Sequence, residues 1–300
     1  MERIKRQKEA RLALNRITIL DGVIMFILII LCLSCILPFI HILAKSLSSS
    51  RAVLSKEVTL WPIEFNLDSV YLIFNSPRFL SQLRFTVIIT VATTVISIIV
   101  TSLAAYPLSK RYLPFRFPIT MIMMFTIYFA AGLIPTYVYY ADIGLLNTPW
   151  VLILPVAFSG FNMLIMRTFF MNAVPKELEE SARIDGASHF RIFAQIWVPL
   201  SLPVFATISL WVAVARWNTY SDSLWFTTDR NLHTLQLVLY NMVLSARPSE
   251  SVEALEGVIV NSPEALQSAA IMFTTIPILL VYPFLQRFFV KGVTLGSVKG

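Results

Sequence analysis

Of 300 residues, 57% are hydrophobic and only 14% are charged, against roughly 45–50% and 25% in soluble domains. One soluble fold cannot hide so much apolar surface, a disordered chain would not carry it, and 2 cysteines and 9 glycines exclude disulfide and collagen-like scaffolds. A net charge of +7 would suggest nucleic acid in a soluble protein, but in a polytopic membrane protein it reports which loops face inward, and no nucleic-acid partner is expected.

A bilayer core of about 30 Å takes roughly 20 residues of apolar helix. A basic segment, residues 1–21, comes first. The first uncharged run is Gly22–Ala44, too long for a cleaved signal peptide. Its Cys32 and Cys35 have no His or Cys at motif spacing, so they read as small apolar residues rather than a redox or metal pair. A loop of about forty residues, Lys45–Arg84, is long enough to fold and to meet a partner. Phe85–Leu108 and Phe117–Ala141 are the second and third runs. A tight turn, Asp142–Leu146, leads into the fourth, Asn147–Met166. The fifth is Ile192–Ala215. A second long loop, Arg216–Gln267, precedes the sixth, Ser268–Gln286, and a tail of residues 292–300 closes the chain. The reading is an all-α polytopic membrane protein with one six-span domain over residues 22–291. Most Lys and Arg fall in the N-terminus, the second and fourth connections and the tail, so both termini are expected in the cytoplasm.

The span interiors hold no acidic or basic residue, which disfavours an ion-driven carrier unless Asp222 or His41 serves from a span end, and the lack of an Arg-rich helix disfavours a voltage sensor. No phosphate-binding loop, H-E-x-x-H or G-x-S-x-G occurs. Catalytic residues, a metal site and a cofactor of the chain's own are therefore not expected, and energy for pumping has to come from another subunit. Pro38, Pro107, Pro135, Pro155, Pro199, Pro203, Pro277 and Pro283 lie in or at the ends of spans. Each either kinks a moving helix or reflects the ordinary tolerance of membrane helices for proline.

The most informative stretch is Asn172–Pro203, NAVPKELEESARIDGASHFRIFAQIWVPLSLP. Pro175 suits a first helical position. Glu177, Glu179 and Glu180 favour the first turn, Gly186 stops a helix running to about Asp185, and Ser188 can cap the next one. A short amphipathic helix tied by a glycine turn to a membrane helix could carry a push from a partner. This stretch resembles the EAA motif of ABC-importer permeases: Glu180-Ser181-Ala182, then Gly186, then Ile196-Trp197-Val198-Pro199. Ser181 stands for Ala and Val198 for Leu, both mild departures. PTYVYYADIGLLNTPWVLILP, ARWNTYSDSLWF, LHTLQLVLYNM and VYPFLQRFFVKGVTLGSVKG look like later regions of the carbohydrate-uptake branch, closest to permeases for complex oligosaccharides. The resemblance covers nearly the whole chain.

That resemblance implies the type I ABC importer permease architecture in a bacterial plasma membrane. It implies a coupling helix over 176–186 that sits in a cleft of an ATP-binding subunit. Glu177, Glu180, Ser181, Ala182, Asp185, Gly186 and Ala187 would form that contact, with Glu180 as the polar link and Ala182 packed into the cleft. Two such subunits would bind ATP and Mg, a second homologous permease would complete the pathway, and an extracytoplasmic solute-binding protein would deliver a carbohydrate. Sugars bind by stacking on aromatic faces and by hydrogen bonds, which makes Tyr128, Tyr137, Asn162, Trp211, Asn218 and Tyr220 candidates for the pathway. Asp222, Asp229, Glu250, Glu253, Glu256 and Glu264 could orient the binding protein. An importer of another solute, or a secondary carrier, is the competing reading.

Overall fold

The computed structural model describes residues 19–173, 175–244 and 262–297. They divide between two compact units, one within Met1–Tyr71 and Val258–Met272, the other within Leu72–Gly257 and Phe273–Gly300. The described residues form helices and no strands.

In the first unit, α1 (Ile19–Ser46) is a continuous helix whose most apolar stretch stays exposed among the described residues, as suits a helix surrounded by lipid or by another subunit. Cys32 and Cys35 lie exposed on it as free thiols. Its end meets α2 (Ser50–Leu54), whose N-cap Ser49 accepts the Ala52 N–H. Ala44, Ala52, Val53, Val58 and Ala265 bury a small core there, flanked by the Lys45–Glu264 pair at 3.5 Å. The first long loop is thus partly folded, through α2 and α3 (Asp68–Asn75).

The second unit is built on α4 (Pro77–Ser109), capped by the Ser76 hydroxyl with Pro77 at its first position. It extends the expected second span at its N-terminal end, where Arg78 and Arg84 had marked the loop. Thr86, Thr93, Ser97, Thr101 and Ala105 form a buried seam of small side chains along it. Such side chains let helices approach closely, which is how membrane helices pack when apolar burial gives no preference over lipid.

Three of the expected spans are broken. The third is α5 (Arg116–Tyr128) and α6 (Leu133–Asp142), bent by 113°. Gly132 turns the corner at φ +84°, and Pro135 sits in the first turn of α6, where its missing N–H costs nothing. The fourth is two 3₁₀ turns, Pro149–Leu152 and Leu154–Val156, followed by α7 (Gly160–Ala173) at 46°. After α8 (Lys176–Ile184), the fifth is α9 (His189–Ile192), a π-helical turn Phe193–Trp197 and α10 (Val198–Leu200), then a 79° bend into α11 (Leu202–Asn218). Ser201, fully buried, marks that bend, and Pro203 opens α11. By length and composition three helices can cross a membrane, or up to six if each bent pair counts as one. The second long loop carries α12 (Ser221–Phe226) and α13 (Leu235–Leu244), and α14 (Pro263–Ser297) supplies the last span.

The main core gathers Ala105, Leu108, Met163, Met166, Phe170, Ile192, Trp197, Val204 and Ile208 from α4, α7, α9, the π turn and α11. A second core joins Ile89, Val151, Leu152, Ile153 and Phe226. Beside it, Arg216 is buried and pairs with Asp222 at 2.7 Å while donating to the Leu152 carbonyl at 3.1 Å.

Candidate functional site

α8 is a nine-residue helix with two distinct faces. Pro175 is its N-cap, in extended conformation, rather than its first helical residue. Glu177 and Glu179 in the first turn and Arg183 in the last suit the helix dipole. The C-terminus closes on a Schellman motif: the Ala187 N–H reaches the Ala182 carbonyl at 2.9 Å, and the Gly186 N–H reaches Arg183 at 3.0 Å. Gly186 takes φ +78°, which explains why glycine stands there. Ser188 then caps α9 by accepting the Arg191 N–H, so the helix turns directly into the fifth span.

One face, Glu177, Glu180, Ser181 and Ile184, follows i, i+3, i+4, i+7 spacing and is exposed throughout. Ser181 donates its hydroxyl to the Glu177 carbonyl at 2.9 Å and so needs no outside partner. Ile184, 87% exposed, adds an apolar tip that the sequence reading did not select. Asp185 and Gly186 lie exposed at the end of the helix. Ala182 and Ala187 also border a recess beside the helix end, with Asp185 and Arg191. Both alanines are half-buried against the chain's own main core.

The other face centres on Glu179. Its carboxylate accepts from Lys110 and, through its second oxygen, from Arg183 at 2.7 Å. Arg183 also donates to the Tyr112 hydroxyl at 2.6 Å. The Lys110 ammonium lies 3.6 Å from the centre of the Trp197 ring and 4.3 Å from that of Tyr106. Burial pushes the Lys110 ammonium below the usual lysine range, and Glu179 offsets this only in part. Glu179, Lys110, Arg183, Tyr112 and Trp197 line a recess of about 310 Å³ that Glu180 also borders. Sequence reasoning noted Glu179 only as a first-turn acid. Nothing in the sequence ties it to Lys110, 69 positions away.

The candidate pathway residues come from α5, α6, α7, α11 and the residue that precedes α12. Tyr128 ends α5 at the break and is exposed, and Tyr137 on α6 stacks on Phe226 with ring centres 6.3 Å apart. Asn162 is half-buried on α7. Trp211, partly exposed on α11, stacks on Phe161 of α7 at 6.3 Å. Asn218 spends its amide on the Val214 carbonyl, and Tyr220 stacks on Tyr240 at 4.3 Å. Of the acids expected to orient a binding protein, Asp222 is committed to Arg216, Asp229 accepts the Asn231 N–H and Glu264 pairs with Lys45. Glu250, Glu253 and Glu256 lie outside the described residues, as do the basic N-terminal side chains.

Comparison with known proteins identifies the architecture. The model of the family described as "Binding-protein-dependent transport system inner membrane component" matches residues 97–295. The polygalacturonan/rhamnogalacturonan transport system permease protein YtcP of Bacillus subtilis is 41% identical over 281 residues, 93% of this chain and 98% of the relative. Protein LplC of the same organism is 39% identical over 266 residues, 88% of this chain and 90% of the relative. Among solved structures, a bacterial ABC transporter involved in the import of the acidic polysaccharide alginate contains a chain that superimposes with a TM-score of 0.85. That chain is 30% identical, and the match covers 90% of this protein and 96% of its neighbour. Matched by the family model over residues 97–295 and by relatives along nearly their full length, the chain belongs to the inner membrane components of binding-protein-dependent transport systems.

Proposed function

We propose that this chain is one of two homologous permease subunits of an ATP-driven importer for an oligosaccharide. In this reading both termini are cytoplasmic, and α8 is the coupling helix. Two separate ATP-binding subunits hold ATP and Mg, and a solute-binding protein delivers sugar from outside. The observation that carries the reading is the free face of α8. Glu177, Glu180, Ser181 and Ile184 are presented on a helix whose opposite face is fixed to the chain's own spans. A partner gripping that face moves the spans with it. Closure of the ATP-binding subunits then favours one arrangement of the spans and hydrolysis the other, which is alternating access by differential contacts in two states.

The breaks in the third, fourth and fifth spans fit such motion, since a bend made by Gly132 or at Ser201 localises the change in angle. The sugar assignment draws on the relatives, one named for polygalacturonan and rhamnogalacturonan and one structural neighbour for alginate. Tyr128, Tyr137, Asn162, Trp211, Asn218 and Tyr220 remain the candidate pathway contacts on this side, with the partner permease supplying the rest.

The test is uptake into vesicles holding the reconstituted complex. Galacturonate oligosaccharides, raffinose and maltotriose would be compared with an amino acid and phosphate. ATP-dependent uptake confined to one or more sugars is expected. Uptake of the non-sugars alone would overturn the cargo, and uptake driven by an ion gradient without ATP would overturn the class.

A further inference from the structure

A push on the free face of α8 has to be passed on. We infer that Glu179 and Lys110 are positioning residues that transmit it from α8 into the second span, with Trp197 sharing the load with the fifth. The inference rests on the reading of α8 as the coupling helix.

No described side chain of α8 is fully buried. Among the described residues its apolar grip on the main core is the Ala182 contact, and its covalent link to the fifth span turns on a single left-handed glycine. A helix held only that way would pivot under load rather than push. The polar face supplies the missing stiffness. Both oxygens of Glu179 are engaged, one by Lys110 and one by Arg183, and Arg183 is anchored in turn by Tyr112. The Lys110 and Glu179 side chains are only 7% and 12% exposed, so their attraction escapes most of the screening that weakens surface pairs. Lys110 caps α4 directly after Ser109, so a displacement of Glu179 acts on the last turn of a 33-residue helix. The same ammonium sits over the Trp197 ring, inside the π-helical turn that precedes the bend of the fifth span. One cation thus joins three elements. None of these contacts uses Glu177, Glu180, Ser181 or Ile184, so the partner-facing side stays free.

The experiment uses the complete complex of both permeases, the ATP-binding subunits and the binding protein, carrying Glu179→Gln, Lys110→Met, the double variant or Lys110→Arg. Three quantities are read: the amount of assembled complex, the factor by which the binding protein stimulates ATP hydrolysis, and galacturonate trisaccharide imported per ATP. Each single change is expected to lower stimulation and import per ATP about tenfold while assembly holds. The double variant should be no worse than either single, because the two residues act as one unit. Lys110→Arg should keep most of the coupling. Normal coupling in the singles, losses that multiply in the double, or reduced assembly with normal coupling in what assembles would each overturn the inference. If Glu179→Gln fails to assemble, Glu179→Asp keeps the charge but shortens its reach, and it should show the same loss of stimulation. A wild-type complex whose hydrolysis ignores the binding protein would refute the coupling reading itself, and the role of the pair with it.

Discussion

Gly186→Ala and Gly186→Trp separate a turn from a docking surface. Gly186 holds φ +78°, and a Cβ built there meets no atom within 4 Å. The first atom of a side chain therefore meets open space. Any L-residue bears only the left-handed strain, about 1–2 kcal/mol, or roughly a tenfold loss in occupancy of the turn. Ala and Trp should bear it equally, and Asn should bear less. Glu179 and Ala182 still hold α8 in both variants, so the helix stays in place. What differs is outside the chain: in the coupling role proposed for α8, an indole at its tip would stand in the way of the ATP-binding subunit. The assay is the amount of that subunit retained per tagged chain after a detergent wash, alongside thermal unfolding of the chain itself. Equal thermal shifts are expected for Ala and Trp, with Trp retaining less than a tenth of what Ala retains. Equal retention would refute the docking role of this surface.

Other perturbations follow from the packing. A Cβ at Gly160 would lie 2.7 Å from the Met123 carbonyl oxygen and 3.2 Å from Ile127 Cγ1. Gly160→Ala should therefore cost about 1–3 kcal/mol, seen as an earlier melt in detergent, and an unchanged melt would contradict the close approach of α5 and α7. Asp222→Ala leaves the buried Arg216 guanidinium without its acid and should cost about 3–5 kcal/mol. Arg216→Met removes the charge and should be the milder change in the same melt, so the reverse order would contradict the pairing. Lys110 predicts a pH effect with two opposite signs. Its folded value is lowered by burial, so just below the ordinary lysine range the folded chain binds fewer protons than the unfolded one. Its contribution to stability then rises with pH, while the Glu179 attraction is lost. Import per ATP should fall at alkaline pH in the wild type and hold in Lys110→Arg, and parallel curves would contradict the assignment.

Apolar segments are legible in the sequence because hydropathy reports what each residue prefers, not how the backbone runs through it, so the six expected runs became three long helices and three bent pairs. Continuity was not legible. Of the eight prolines singled out, Pro38, Pro107, Pro277 and Pro283 lie inside unbroken helices, while Pro135, Pro155, Pro199 and Pro203 stand at the broken spans. A proline tolerates both situations, since at a helix start its missing N–H costs nothing and within a span neighbouring groups compensate. In the third span the corner is turned by Gly132 rather than by the proline three residues on. The α8 turn was readable because Gly186 and Ser188 act locally. The Glu179–Lys110 link was not, because it depends on how α4 and α8 meet. Adjacent acids in a helix point about 100° apart, and only tertiary packing decides that Glu179 faces in while Glu180 faces out.

The most direct measurement is affinity purification of this chain from its native membrane, with mass spectrometry of what accompanies it. The account predicts a second homologous permease and an ATP-binding subunit, with the ATP-binding subunit lost on Gly186→Trp. A homodimer carrying no ATP-binding subunit would contradict it.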